Sequence, residues 1–136
     1  MKFSILDYKV LQFAFRAEEQ IVRFFNKPKK SELLPVKVKM VIPDEEEISG
    51  KELLLIFKID AKDFLDDLDD GFFQLHFVVR FGTDDIISEG FGKTNWLEES
   101  GLPEKGFPLV VSWLNNFFVN SGYNTYFPNG YNFEKM

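Results

Sequence analysis

Over most of its first half the chain alternates apolar and polar residues, and only later does it switch to a helical period. In residues 3–16, Phe3, Ile5, Leu11, Phe13 and Phe15 share one parity, while Asp7 and Lys9 interrupt it. This predicts one long strand with a bend or bulge near residues 7–9. Residues 18–25 fit a helical turn or an extended run equally well, and Pro28 marks residues 27–32 as a loop. Val36, Val38, Met40 and Ile42 then oppose Lys37 and Lys39, a half-buried strand that Pro43 ends. After an acidic turn at 44–50, residues 51–61 predict a third strand with Leu53, Leu55, Phe57 and Ile59 on one face. Leu54 and Ile56 make its other face apolar as well, the pattern of a central strand covered on both sides. The Asp70-Gly71 turn leads into residues 72–81, where Phe73, Leu75, Phe77, Val79 and Phe81 oppose Gln74, His76 and Arg80.

Residues 83–103 read as a long crossing loop with a short helix, anchored by Phe91, Trp96 and Leu97. At residues 107–122 the period changes. Phe107, Val110, Val111, Leu114, Phe117 and Phe118 recur at the spacing that gathers them on one broad side of a helix. Pro108 suits the first helical position, and Gly122 the left-handed residue after the last turn. At ~1.5–3 kcal/mol for each buried side chain, the helix contributes on the order of 10 kcal/mol of gross burial before entropy is subtracted. Beyond it, Pro128 and Asn129-Gly130 favour turns. Four strands and then one helix predict an α+β domain, a four-stranded antiparallel sheet with the long helix packed on one face.

Composition narrows the function classes. A chain of 136 residues with 45% hydrophobic content suits a single domain spanning 1–136. No apolar run approaches the ~18 residues of a membrane span, and charged residues break up any signal-peptide core. With no cysteine there is no disulfide framework, thiolate metal site or cysteine nucleophile, and the cytoplasm is the default compartment. A net charge of −6 argues against global attraction to nucleic acid or anionic lipid. The 17 Phe, four Tyr and two Trp exceed what one small core absorbs, so some are expected to line a groove or a subunit interface.

Candidate chemistry is sparse. Asp63, Asp66, Asp67, Asp69 and Asp70 suggest a hard cation. Aligning Gly71 with the glycine of a calcium loop, however, puts Leu68 at a required oxygen ligand and Phe77 at the bidentate carboxylate. No metal or cofactor is therefore expected. The acidic run reads as a solvated loop that would steer a basic folded partner. His76 is the only histidine, and its neighbours supply neither a nucleophile nor an orienting carboxylate. Gly92-Lys93-Thr94 has the tail of a phosphate loop, but Ile87 stands where that motif opens with glycine. No catalytic residue is assigned, and the chain reads as a non-enzyme.

The order of these features resembles the SecB family of export chaperones over nearly the whole chain. The resemblance is carried by F-S-I-L-D-Y-K-V-L-Q-F-A-F at 3–15 and L-P-V-K-V-K-M at 34–40, then an acidic linker and K-E-L-L-L-I-F-K-I at 51–59. Phe107-Pro108 and P-N-G-Y-N-F at 128–133 add to it. It implies a dimer or tetramer that holds unfolded or partly folded polypeptide in a hydrophobic groove without ATP, with no role for nucleic acid or membrane insertion. Groove candidates on this reading are Val36, Val38, Met40, Phe73, Trp96 and Phe133. The export chaperones continue into a second helix and a zinc-binding tail that have no counterpart here. That departure suggests a divergent relative, of the kind associated with toxin–antitoxin modules or mobile elements. The alternative is an adaptor domain that binds one folded partner through its acidic residues.

Overall fold

The alternating segments fold as strands in a computed structural model that describes residues 2–26, 33–43, 51–65, 72–88, 90–123 and 130–136. The strands β1 (Ser4–Arg16), β2 (Leu33–Val41), β3 (Glu52–Asp60), β4 (Phe72–Gly82) and β5 (Gly130–Lys135) form one sheet in the order β1-β4-β3-β2-β5. The first four pair antiparallel, whereas β5 runs parallel to β2. The sheet is therefore five-stranded and mixed, not the four-stranded antiparallel sheet expected. The fifth strand was hidden because Pro128 and Asn129-Gly130 signal turns, and the alternation of Tyr131 and Phe133 behind them is short. A parallel neighbour cannot be reached by a tight turn, and the long helix provides the connection.

Among the described residues the α-helices are α1 (Glu19–Asn26), α2 (Trp96–Glu99) and α3 (Leu102–Asn120). Residues 18–25, undecided from sequence, thus become mostly helical. Strand parity decides the core. Val36 and Val38 of β2, Leu53, Leu55, Phe57 and Ile59 of β3, and Phe73, Leu75, Phe77, Val79 and Phe81 of β4 are fully buried. Phe107, Val110, Leu114 and Phe118 of α3 are buried in the same cluster. Tyr131 and Phe133 bring β5 against Phe107, with ring centroids 4.5 and 5.3 Å away.

The helix begins at Leu102, six residues before the position expected from Pro108. Pro103 occupies its first turn, Gly101 precedes it at φ 72°, and Pro108 lies inside it. Pro108 cannot donate to the carbonyl of Glu104, but both residues are exposed, on the side of the helix that solvent reaches. Gly106 is the reason the earlier turn matters. A Cβ built there would lie 3.1 Å from Cζ of Phe81 and 3.3 Å from two ring atoms of Phe57, so the missing side chain lets α3 settle onto the sheet. The other end follows the expectation. Gly122 adopts φ 87°, its N–H reaches the Val119 carbonyl, and the Tyr123 N–H donates to the Phe118 carbonyl at 2.9 Å. This is a Schellman closure, and the Tyr123 ring packs on Phe118.

Both glycines give tests. Gly106→Val is expected to cost about 1–3 kcal/mol through overpacking against Phe57 and Phe81. Gly122→Ala is expected to cost about 1–2 kcal/mol because alanine is strained in the left-handed region. Urea unfolding with unchanged slope measures both, and a Gly106→Val midpoint at or above the wild type would remove the close approach from the account.

Candidate functional site

β1 is an edge strand of 13 residues, and its irregularities decide what it displays. Its register against β4 shifts twice, between Ile5 and Asp7 and between Val10 and Gln12. The inserted residues are Leu6 and Leu11, which are 46% and 56% exposed. One bulge lies near the expected position, but the second moves Leu11 off the core parity, and Tyr8 and Val10 pair with Val79 and Phe77 on the helix side. Tyr8 stacks on Phe77 with centroids 5.1 Å apart, yet remains 47% exposed, and Ile5 is 36% exposed.

Further along, β1 is sealed by aromatic contacts. Phe13 meets Trp113 and Phe117 edge-on at 4.9 and 4.6 Å, and Phe15 meets Phe117, Phe118 and Tyr123. The exposed half is pinned instead by charge. The Arg80 guanidinium donates from Nε and Nη2 to the two carboxylate oxygens of Asp7 at 2.9 and 2.7 Å, and from Nη1 to Glu52 at 3.2 Å. One side chain of β4 thereby ties β1 to β3 across the first bulge. Those hydrogen bonds hold the Asp7 carboxyl below its ordinary value of 3.8. The Lys105 ammonium also donates to the Phe3 carbonyl, joining α3 to the start of the strand.

The result is a firmly held strand with one edge paired to β4 and no described strand on the other. Such an edge presents a row of backbone donors and acceptors, and here it carries Ile5, Leu6, Tyr8 and Leu11 as exposed apolar side chains. It can add an extended polypeptide as a further strand. No family model, curated protein or solved structure matches the chain.

The groove candidates from sequence lie elsewhere. Val36, Val38 and Phe73 are fully buried and Trp96 is 3% exposed, with the Lys135 ammonium 5.6 Å from the Trp96 ring. Met40 and Phe133 are half-buried against the same core. These six side chains therefore form part of the interior and its margin, because the parity that marks a half-buried strand marks its core face first. Sequence reasoning missed Leu6, Tyr8 and Leu11. The signal was available: β1 carries apolar residues on both parities, which an edge strand has no second layer to absorb. Of the acidic candidates, Asp63 pairs with Lys37 at 3.4 Å, while Asp66, Asp67, Asp69 and Asp70 lie outside the described residues.

Among the described residues, no group of three or more His, Asp or Glu side chains could hold a metal ion. Gly92, Lys93 and Thr94 form a tight turn whose Thr94 hydroxyl donates to the Phe91 carbonyl, occupying the group a phosphate loop would use. No described helix is long and apolar enough to cross a membrane. His76 faces away from α3 on β4, opposite Lys58 and Gln12. Partial burial, and then Lys58, hold its imidazole below the ordinary value of 6.5 against the opposing effect of Asp60.

The unfolded chain therefore takes up the His76 proton first as pH falls, and stability declines from about pH 6.5 downward. His76→Gln is expected to flatten the pH dependence of the urea midpoint between about pH 7 and 5.5. An unchanged dependence would assign that titration to another group.

Proposed function

We propose that the protein is a SecB-like, ATP-independent holdase that captures non-native polypeptide along the free edge of β1. The observation that carries this reading is the conjunction on one strand of a backbone edge that no described strand pairs and the exposed side chains of Ile5, Leu6, Tyr8 and Leu11. Extended, unfolded chain offers the complementary backbone groups, and apolar side chains along the edge reward almost any apolar client residue. Affinity then comes from main-chain pairing with little sequence readout, which is what a holdase needs. The reaction involves no covalent step and no catalytic residue. The resemblance in the segments at 3–15, 34–40 and 128–133 supplies the class, and the edge supplies a location in this chain.

The same edge supports a second reading. β1 of one copy can pair with β1 of another, giving the oligomer that the resemblance implies. In an obligate pair of this kind the edge would be occupied, and client binding would require another surface.

A chemically unfolded client, reduced α-lactalbumin, separates the two. The wild type is expected to suppress its aggregation at stoichiometric amounts. The double variant Tyr8→Lys with Leu11→Lys is expected to bind about tenfold more weakly, as the loss of two apolar contacts implies. Val119→Lys, at a 64% exposed position on α3, should behave as wild type. A folded wild-type protein that neither binds the client nor slows its aggregation would sink the proposal. A sedimentation mass that is dimeric for wild type and monomeric for the β1 variant, without client binding, would favour the second reading.

A further inference from the structure

The outer face of the sheet, opposite α3, has a composition that its solvent position does not explain. β3 is apolar on both parities through residues 53–57. Leu53, Leu55 and Phe57 are fully buried, while Leu54 and Ile56 on the outward parity keep the partial exposure that a covering layer would remove. The register sets their neighbours. Lys9, Val78, Ile56 and Lys39 form one row across β1, β4, β3 and β2, and Asp7, Arg80, Leu54 and Val41 form the next. With strands about 4.8 Å apart, Lys9 and Lys39 stand about 14 Å from each other with Val78 and Ile56 between them. Lys58 lies two residues beyond Ile56 on β3, opposite His76.

Most charges on this face are already engaged. Arg80 is bound to Asp7 and Glu52, Lys37 to Asp63, and the Asp60 carboxylate accepts from the Lys62 backbone N–H and the Gln74 amide. Among the described residues, Lys9, Lys39 and Lys58 enter no ion pair. A chain of net charge −6 thus presents an apolar centre rimmed by three lysines that make no ion pair among the described residues.

We propose that this outer face docks an acidic, amphipathic segment of a partner protein, its apolar side chains seated on the partly exposed Leu54 and Ile56 above the buried Val78 and its carboxylates meeting Lys9, Lys39 and Lys58. Charge selects the occupant. A second copy using the same face would bring six of these lysines into one interface, a concentration of like charge that costs binding energy. Nucleic acid would satisfy the lysines but leave the apolar centre uncovered, and the net charge of the chain opposes its approach. An apolar centre inside a charged rim is the anatomy of a protein–protein contact. The surface shares Lys9 with β1 but lies on the outer face of the sheet, not along the backbone edge of that strand, and it does not depend on the holdase reading.

The test uses a fluorescent peptide of alternating Glu and Leu, with a Lys and Leu peptide of the same length as control. The acidic peptide is expected to bind in anisotropy titrations and to shift the backbone amides of Leu54, Ile56 and Val78. The triple variant K9E, K39E, K58E should weaken it by about tenfold or more, and raised salt should weaken it in the wild type. Ile56→Ser should weaken it at any salt concentration. The variant Tyr8→Lys with Leu11→Lys should bind as wild type, which separates this face from the β1 edge. Circular dichroism checks that each variant is folded. Unshifted amides on this face or unchanged affinity in the folded triple variant would overturn the proposal. So would equally tight, lysine-dependent binding of single-stranded DNA, or a dimer in sedimentation that the triple variant dissolves.

Discussion

The close approach of α3 to the sheet at Gly106 governs the rest of the fold. With no side chain there, the helix backbone lies over the rings of Phe57 and Phe81, and the neighbouring Phe107 reaches Phe57 with centroids 5.6 Å apart. That contact buries the middle of β3 and β4, and it orients the two flanks of α3 in opposite directions. Trp113 and Phe117 lean toward β1, whereas Phe107 receives Tyr131 and Phe133 from β5. The long helix thus spans most of a five-stranded sheet, because aromatic side chains extend its reach to both sides, and Ile21 of α1 and Trp96 of α2 complete the same core.

The same geometry determines what stays open. Phe13 and Phe15 are covered by Trp113, Phe117 and Phe118, but Ile5, Leu6 and Tyr8 lie nearer the start of β1 and remain partly exposed. A long apolar edge is a hazard because it templates pairing with other chains, and natural sheets usually blunt it with charge, proline or a covering element. Here the bulges place leucines outward, while the Arg80 bridge to Asp7 and Glu52 keeps the strand attached at its first irregularity. Rigidity with exposure suits a surface that meets extended chains, since little order has to be imposed on the site during binding.

Much of this was legible from residues alone. The alternation of Val36, Val38 and Met40, of Leu53 to Ile59, and of Phe73 to Phe81 located three strands to within a few residues, and the period of α3 marked its core face. What failed did so for physical reasons. Pro108 looked like a helix start because proline fits the first turn, yet Pro103 fits it too, and only the packing of Gly106 on Phe57 and Phe81 favours the earlier one. β5 is short and follows turn signals, so its parallel pairing with β2 is a tertiary decision. Buried parity was mistaken for a groove at Val36, Val38, Phe73 and Trp96, because a pattern that says which residues share a face does not say which face is closed. The bulges at Leu6 and Leu11 create the candidate site; Asp7 and Lys9 mark the first by interrupting the alternation, whereas the second shows only as apolar residues on both parities of β1.

Backbone pairing along β1 is the central claim, and amide hydrogen exchange reads it directly. Exchange would be followed across the chain with and without reduced α-lactalbumin. Capture at this edge requires that amides of Ser4–Arg16 exchange more slowly when the client is present, with the change diminished by the Tyr8→Lys and Leu11→Lys double variant. Client binding with no slowing in that strand would contradict it.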